Sequence, residues 1–300
     1  METVNQSKLG VYDKIAKKIL RKVRLYLNLP LEHRYDKFSI LLPSNHLLPT
    51  YQRLYPNYDR FLPHLAKYIS PSDTIVDVGA NVGDTLAGMI AQNSRASYVC
   101  IEPDTSFFRF LEKNIERMKD RLDGLKIEAI QALVGKSISN VSLTGQGGTK
   151  HAVVCTEQGI KSRPLDEIIL STLKIRLLKS DVDGFDYDVI DSSMAAIKKY
   201  SPIIFFECQL DNIDQKNRYT ETLQSLEAAG YCDWTIFDNF GEVVLRTSAI
   251  SVVIQLMNYI WQQNIGMATR TIFYFDILSV QKLDTTLIDN VLEAYQACLS

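Results

Sequence analysis

Cysteine is scarce and unpatterned in this 300-residue chain. The five cysteines (Cys100, Cys155, Cys208, Cys232 and Cys298) are odd in number, and none belongs to a C-x-x-C pair. That excludes a disulfide framework and a structural zinc pattern. Cys100, Cys155 and Cys208 sit inside apolar runs, as free core cysteines do, so a reducing, cytoplasmic setting is expected. Glycine and proline are modest, at 14 and 9, which excludes collagen-like and Gly/Pro low-complexity sequence. No charge dominates: 33 Lys and Arg stand against 35 Asp and Glu, a net charge of −2. Coating nucleic-acid phosphates takes a basic surplus, so no nucleic-acid partner is expected.

Long apolar runs are missing too. Residues 1–30 contain no continuous hydrophobic region, which predicts no secretory signal. The longest uncharged stretch, Thr247 to Thr269, carries Gln255, Asn258, Gln262, Gln263 and Asn264. These side chains are costly in lipid, so residues 249–262 read as a buried amphipathic helix. What is present is an ordinary globular mixture, 46% hydrophobic and 23% charged, which excludes a wholly disordered chain.

Charge is unevenly spread. Residues 1–70 hold 12 basic and 5 acidic side chains, and the rest of the chain is net acidic. Val11, Ile15, Ile19 and Val23 recur every four residues, with Lys14, Lys17, Lys18, Arg21 and Lys22 between them. Residues 8–24 (Lys8 to Arg24) therefore read as a basic amphipathic helix. It packs on its own domain or on a partner protein, or it rests on an anionic membrane surface at the inner face. A Pro/Tyr-rich lead-in follows, and 1–70 is read as an extension preceding a domain at 71–300.

From residue 74 the pattern alternates. Strands are expected at 74–79, 97–103, 126–134, 175–182, 203–208, 231–237 and 271–278. Helices are expected at 61–68, 83–92, 105–118 (N-capped by Thr105), 187–200 and 219–229. Strands alternating with helices imply right-handed crossovers and an α/β fold, a mostly parallel sheet with helices on both faces. Residues 136–163 look irregular, with a hairpin around 145–148.

The first chemical signal is Ile75-Val76-Asp77-Val78-Gly79-Ala80-Asn81-Val82-Gly83-Asp84-Thr85. An apolar strand runs into a Gly-containing turn and then a helix, where open α/β sheets bind ligands. Gly79 and Gly83 allow close backbone approach. The spacing is not the G-x-G-x-x-G of a dinucleotide fold, and Asp84 would repel a pyrophosphate. S-Adenosylmethionine carries a sulfonium and an ammonium but no phosphate, so it suits an acidic turn. Ile101-Glu102-Pro103 ends the next strand with an acid placed to accept ribose hydroxyls.

The runs DVGANVGDT, CIEPD and LLKSDVDGFDYDVI together resemble the FkbM-type S-adenosylmethionine-dependent methyltransferases, over about residues 77–209. The resemblance implies a class I, Rossmann-like seven-stranded sheet and O-methyl transfer to a sugar or other hydroxylated small molecule. It also implies that Asp77, Gly79, Asn81, Gly83 and Asp84 line the methionine end, with Glu102 on the ribose and Pro103 shaping its turn. The family's usual Lys-Ile-Asp-Val-Glu-Gly is Lys-Ser-Asp-Val-Asp-Gly here, with Ser180 and Asp183 as the departures. The shorter Asp183 reaches about one methylene less far.

A sugar hydroxyl needs a base. Asp183 and Asp181 are the candidates, with His151 and His46 as alternatives. Asp181 and Glu207, at the ends of neighbouring strands, form a possible Mg²⁺ pair. Asp186 and Asp188 read as helix N-terminal or solvated charges. Asn239 and its neighbours read as a hairpin turn rimming the acceptor pocket, with Tyr51, Tyr55 and Tyr58 as stacking faces or core. The strand at 203–209 lacks the Asn/Asp-Pro-Pro-Tyr/Phe run that resembles amino-methyltransferases of nucleic acid. The expected function is S-adenosylmethionine-dependent O-methylation of a sugar or glycoconjugate hydroxyl. A non-sugar acceptor, a non-catalytic scaffold of a glycan-assembly complex, and a nicotinamide oxidoreductase are the alternatives.

Overall fold

The computed structural model describes residues 22–122, 124–136, 141–144, 151–154, 160–169, 173–266 and 271–298. Most of the basic segment 8–24 lies outside these residues, and 22–26 are helical.

Along the chain, β1 (Leu31–Arg34) and β2 (Ser39–Leu42) form an antiparallel hairpin, followed by α1 (Leu48–Leu54) and α2 (Phe61–Ala66). Then come β3 (Thr74–Val78), α3 (Asp84–Ala91), β4 (Ser97–Ile101), α4 (Thr105–Arg117), β5 (Ile127–Ile130) and β6 (Leu133–Val134). A ribbon of β7 (Val141–Thr144) and β8 (His151–Val154) follows, then β9 (Ser162–Arg163), α5 (Leu165–Ile168) and β10 (Ile175–Ser180). The chain closes with α6 (Asp186–Asp191), α7 (Met194–Tyr200), β11 (Ile203–Gln209), α8 (Ile213–Ala228), β12 (Tyr231–Asp238), β13 (Val243–Thr247), α9 (Ile250–Asn264), β14 (Tyr274–Gln281) and α10 (Thr285–Ala297).

The central sheet has the order β13-β12-β14-β11-β10-β3-β4-β5. Strands β5, β4, β3, β10 and β11 are parallel, and β14 inserts antiparallel between β11 and β12. Every residue of β3 is buried, as its apolar run requires of a strand covered on both faces. One face is covered by α2, α3, α4 and α10 through Leu65, Leu86, Leu111 and Ile288. The other is covered by α5 to α9 through Leu165, Val189, Ile197, Leu223 and Met257. The lead-in shares the first core, since Ile40, Leu42 and Phe61 are buried in it.

The sheet has eight strands rather than seven, because β13 returns from β12 across a tight turn. Asp238 Oδ1 organises that turn by accepting the amides of Phe240 (2.9 Å) and Glu242 (3.0 Å). The strand expected at 126–134 breaks after Ile130, and β6 leaves to pair with β9. The helix expected at 187–200 is two helices, α6 and α7, separated at Ser192 and Ser193. Both serine hydroxyls turn back to Val189 O, the local bonding by which serine competes with helix continuation. Asp104, not Thr105, caps α4, accepting the amides of Ser106 (2.9 Å) and Phe107 (3.0 Å). The described strands β7 and β8 bear out the hairpin, while residues 145–150 fall outside the description.

Candidate active site

The chain runs outward from β3 to β4 and β5, then back to β10 and β11 on the other side of β3. The reversal opens a crevice at the carboxyl ends of β3 and β10, where such sheets bind ligands. A cavity of about 640 Å³ lies there.

Its floor begins at the turn after β3. Gly79 has φ +76°, and a Cβ there would stand 2.0 Å from Asp181 O, so only glycine lets the turn pass β10. Asn81 is left-handed (φ +49°), and its amide donates to Glu102 Oε2 at 2.8 Å. Gly83 has φ +81° and abuts Leu111, whose Cδ1 is 2.8 Å from where its Cβ would be. Asp84 opens α3, a position that favours a carboxylate by the helix dipole.

Gly79, Asn81 and Asp84 line the cavity, and Asp77 and Gly83 lie behind it. Asp77 is 1% exposed and ion-paired to Lys179 Nζ at 2.9 Å. Lys179 also reaches Asp181 at 3.5 Å and donates to Gly79 O at 3.0 Å. Burial works against its charge, but Asp77 and Asp181 outweigh that and raise its pKa. Burial pushes Asp77 up, and Lys179 pulls it back. The buried lysine thus ties two strand ends to the turn.

Glu102 immediately follows β4 and is 5% exposed. Its Oε1 accepts the Asp104 amide at 2.8 Å, as Oε2 accepts that of Asn81. Burial lifts its pKa to about 7 against the pull of those two amides. Pro103 sits between them, its carbonyl accepting from Gln131 Nε2 at 3.4 Å.

Asp181 and Asp183 both line the cavity, Asp183 with left-handed backbone (φ +52°). Asp59, Asn81 and Asp183 are all left-handed and non-glycine, and all three line this cavity. Such conformations gather at functional sites. The serine that departs from the family pattern has a partner: Ser180 Oγ donates to Asp186 Oδ1 at 2.5 Å. Asp186 also accepts the Val182 amide at 3.2 Å, and burial raises its pKa to about 7. Asp186 and Asp188 are thus buried first-turn acids rather than solvated ones. Asp188 Oδ2 accepts the Lys136 amide at 2.8 Å.

Glu207 is 5% exposed, faces the cavity, and its Oε1 has no hydrogen-bond partner. Burial raises its pKa well above the usual range, and Asp181, Asp186, Asp183 and Asp276 add to it. The register places Asp181 just beyond the Ser180–Phe206 pair, beside Glu207. No group of three or more His, Cys, Asp or Glu among the described residues is arranged to hold a metal ion. His46 lines the cavity near Asp84 and Asn81. Burial lowers its pKa. His151 belongs to the β7–β8 ribbon, paired with Thr144, and its side chain lies outside the described residues.

Sequence reading missed Lys179, Asp59 and Asp276 as site residues. Asp276 carried a usable signal, an acid inside the apolar run YFDIL, the same signal that picked out Glu207. It is the cross-strand partner of Glu207.

The sheet order, the reversal at β3 and the acidic turn define a class I, Rossmann-like methyltransferase fold. The Methyltransferase FkbM domain matches residues 77–232, and the chain belongs to that family. No curated protein matches it significantly. Among solved structures it is similar to methyltransferase FkbM from Methylobacillus flagellatus KT. The identity is 16% and the TM-score 0.39, over 77% of this chain and 58% of that one. It thus spans under two thirds of that relative's length. It is also similar to the precorrin-6y C5,15-methyltransferase of Geobacter metallireducens GS-15: 10% identity, TM-score 0.39, 74% and 88% covered. A third is P. horikoshii TYW2 in complex with MeSAdo: 11% identity, TM-score 0.43, 85% and 73% covered. At such identities these likenesses say nothing of substrate.

Proposed function

We propose that the protein is an S-adenosylmethionine-dependent O-methyltransferase whose acceptor is a hydroxyl of a sugar or glycoconjugate. The observation that carries this reading is the glycine turn held beside Glu102, opening onto a cavity lined by acids and aromatic rings.

The residues present fit the cofactor. Each Glu102 oxygen accepts one amide and keeps a second lone pair for a ribose hydroxyl. Asp84 and Asp181 offer negative charge where the methionine cations would lie. Bound S-adenosylmethionine supplies a methyl group already activated on a sulfonium. The chain then has two tasks, aligning the acceptor oxygen and taking its proton. Asp183, on the cavity wall next to the turn, is the residue proposed to take that proton. Tyr51, Tyr55 and Tyr58 supply stacking faces for a sugar ring, with Tyr51 and Tyr58 stacked at 5.1 Å.

Calorimetric titration tests the reading directly. S-Adenosylmethionine and S-adenosylhomocysteine should bind in the micromolar range, and NAD⁺ should not bind, with or without Mg²⁺. No binding of the first two would favour a scaffold role instead. Asp183→Asn should keep cofactor affinity and lose turnover. Loss of both would make Asp183 a binding residue.

A further inference from the structure

The cavity has two halves. One lies at the turn after β3, with Gly79, Asn81 and Asp84 on its wall. The other lies over β11 and β14, whose ends carry Glu207 and Asp276 as register partners. Asp59 faces them from the segment before α2.

This second half is unusual in what it lacks. Among the described residues, no lysine or arginine is ion-paired to Glu207 or Asp276. Lys179 is committed to Asp77, Asp181 and Gly79 O. Arg60 is exposed at the rim, where it donates to Gln52 at 3.4 Å. Glu207 is 95% buried with an oxygen that no protein group satisfies. Buried polar atoms in folded proteins nearly always have partners, and an unmet buried carboxyl is costly. That oxygen faces the cavity, where a ligand can answer it. The walls around this void are aromatic: Tyr55 packs on Phe240 at 4.3 Å and Tyr51 on Tyr58 at 5.1 Å. Aromatic faces beside carboxylates are the setting that recognises ammonium groups.

Accepting the methyl-transfer reading on which this rests, we propose that the acceptor is an amine-bearing polyol such as an amino sugar, with its free ammonium seated between Glu207 and Asp276. An ammonium brings three donors and a positive charge. A hydroxyl brings one donor and no charge, and an N-acetyl group adds bulk while removing the charge. The hydroxyl to be methylated then projects toward the β3 turn.

The test begins with protein saturated with S-adenosylhomocysteine. It is titrated with a panel of hexosamines, amine at different ring positions, and with the N-acetylated counterpart of each. The tightest binder should be a free amine, preferred over its acetylated form by at least about tenfold. Glu207→Gln/Asp276→Asn should lose about tenfold for that amine while S-adenosylhomocysteine affinity stays unchanged, which also shows the variant is folded. Equal or tighter binding of the acetylated forms overturns the proposal. So does failure of every amine to bind a protein that holds S-adenosylhomocysteine. Failure of S-adenosylhomocysteine itself overturns the methyltransferase reading, and this proposal with it.

Discussion

Lys179→Met is the most informative perturbation of the site. Lys179 is 3% exposed and Asp77 1% exposed, with 2.9 Å between their charged atoms. At an effective dielectric of about 20, the attraction at that distance is about 6 kcal/mol, before desolvation is subtracted. Removing the cation leaves Asp77 buried and unpaired, which costs about 3–5 kcal/mol in comparable sites. The turn also loses the donor to Gly79 O. Without Lys179, only burial acts on Asp77, and its folded pKa rises. Between its unfolded and folded pKa values, the folded state then holds a proton the unfolded state has lost. Stability therefore falls as pH increases through that window. Urea unfolding should show a loss of about 3–5 kcal/mol at pH 8 and a smaller loss at pH 5. Asp77→Asn in the same background should restore about half, because the stranded charge is gone. A loss under about 1 kcal/mol at pH 8, or additive single variants, would refute the view that this ion pair holds the cofactor turn.

Three further outcomes are expected. Gly79→Ala should destabilise by about 2–4 kcal/mol or fail to fold, since its Cβ would press on Asp181 O at positive φ. A thermal scan showing a near-native midpoint would show that the turn can relax. Glu102→Ala should weaken S-adenosylmethionine binding by about 1–3 kcal/mol, and unchanged calorimetric affinity in a folded variant would remove Glu102 from the site. The ligand-free protein should lose stability as pH rises from about 5 to 8. Glu102 and Asp186, both lifted to about 7, keep protons in the folded state there that the unfolded chain has released. For Glu102 the effect is roughly 3 kcal/mol at most. An unfolding midpoint that stays flat or rises over that range would contradict the burial of these acids.

The parts legible in the sequence were those governed by short-range pattern. Continuous apolarity marked β3 and β11, and Gly79 with Gly83 marked the turn between β3 and α3, because one local interaction decides each. The helix at 187–200 misled because Ser192 and Ser193 are tolerable in a helix by composition. Their hydroxyls bond back to Val189 O, and the chain breaks there. The β1–β2 hairpin stayed hidden because its pairing is completed at a distance. Asn114, on α4, donates to Leu41 O at 2.8 Å and accepts the Leu41 amide at 2.7 Å.

The acids divide along the same line. Asp77, Asp181, Asp186 and Glu207 look alike in the sequence, each an acid at or near a strand end. Their partners separate them: Lys179 answers Asp77, Ser180 and the Val182 amide answer Asp186, and no group among the described residues answers Glu207 Oε1. Asp77 and Asp186 are answered within the protein and sit off the cavity wall, whereas Glu207 faces the cavity with an oxygen left for a ligand. By that criterion the β11–β14 side of the crevice, more than the glycine turn, is where the acceptor's chemistry is written.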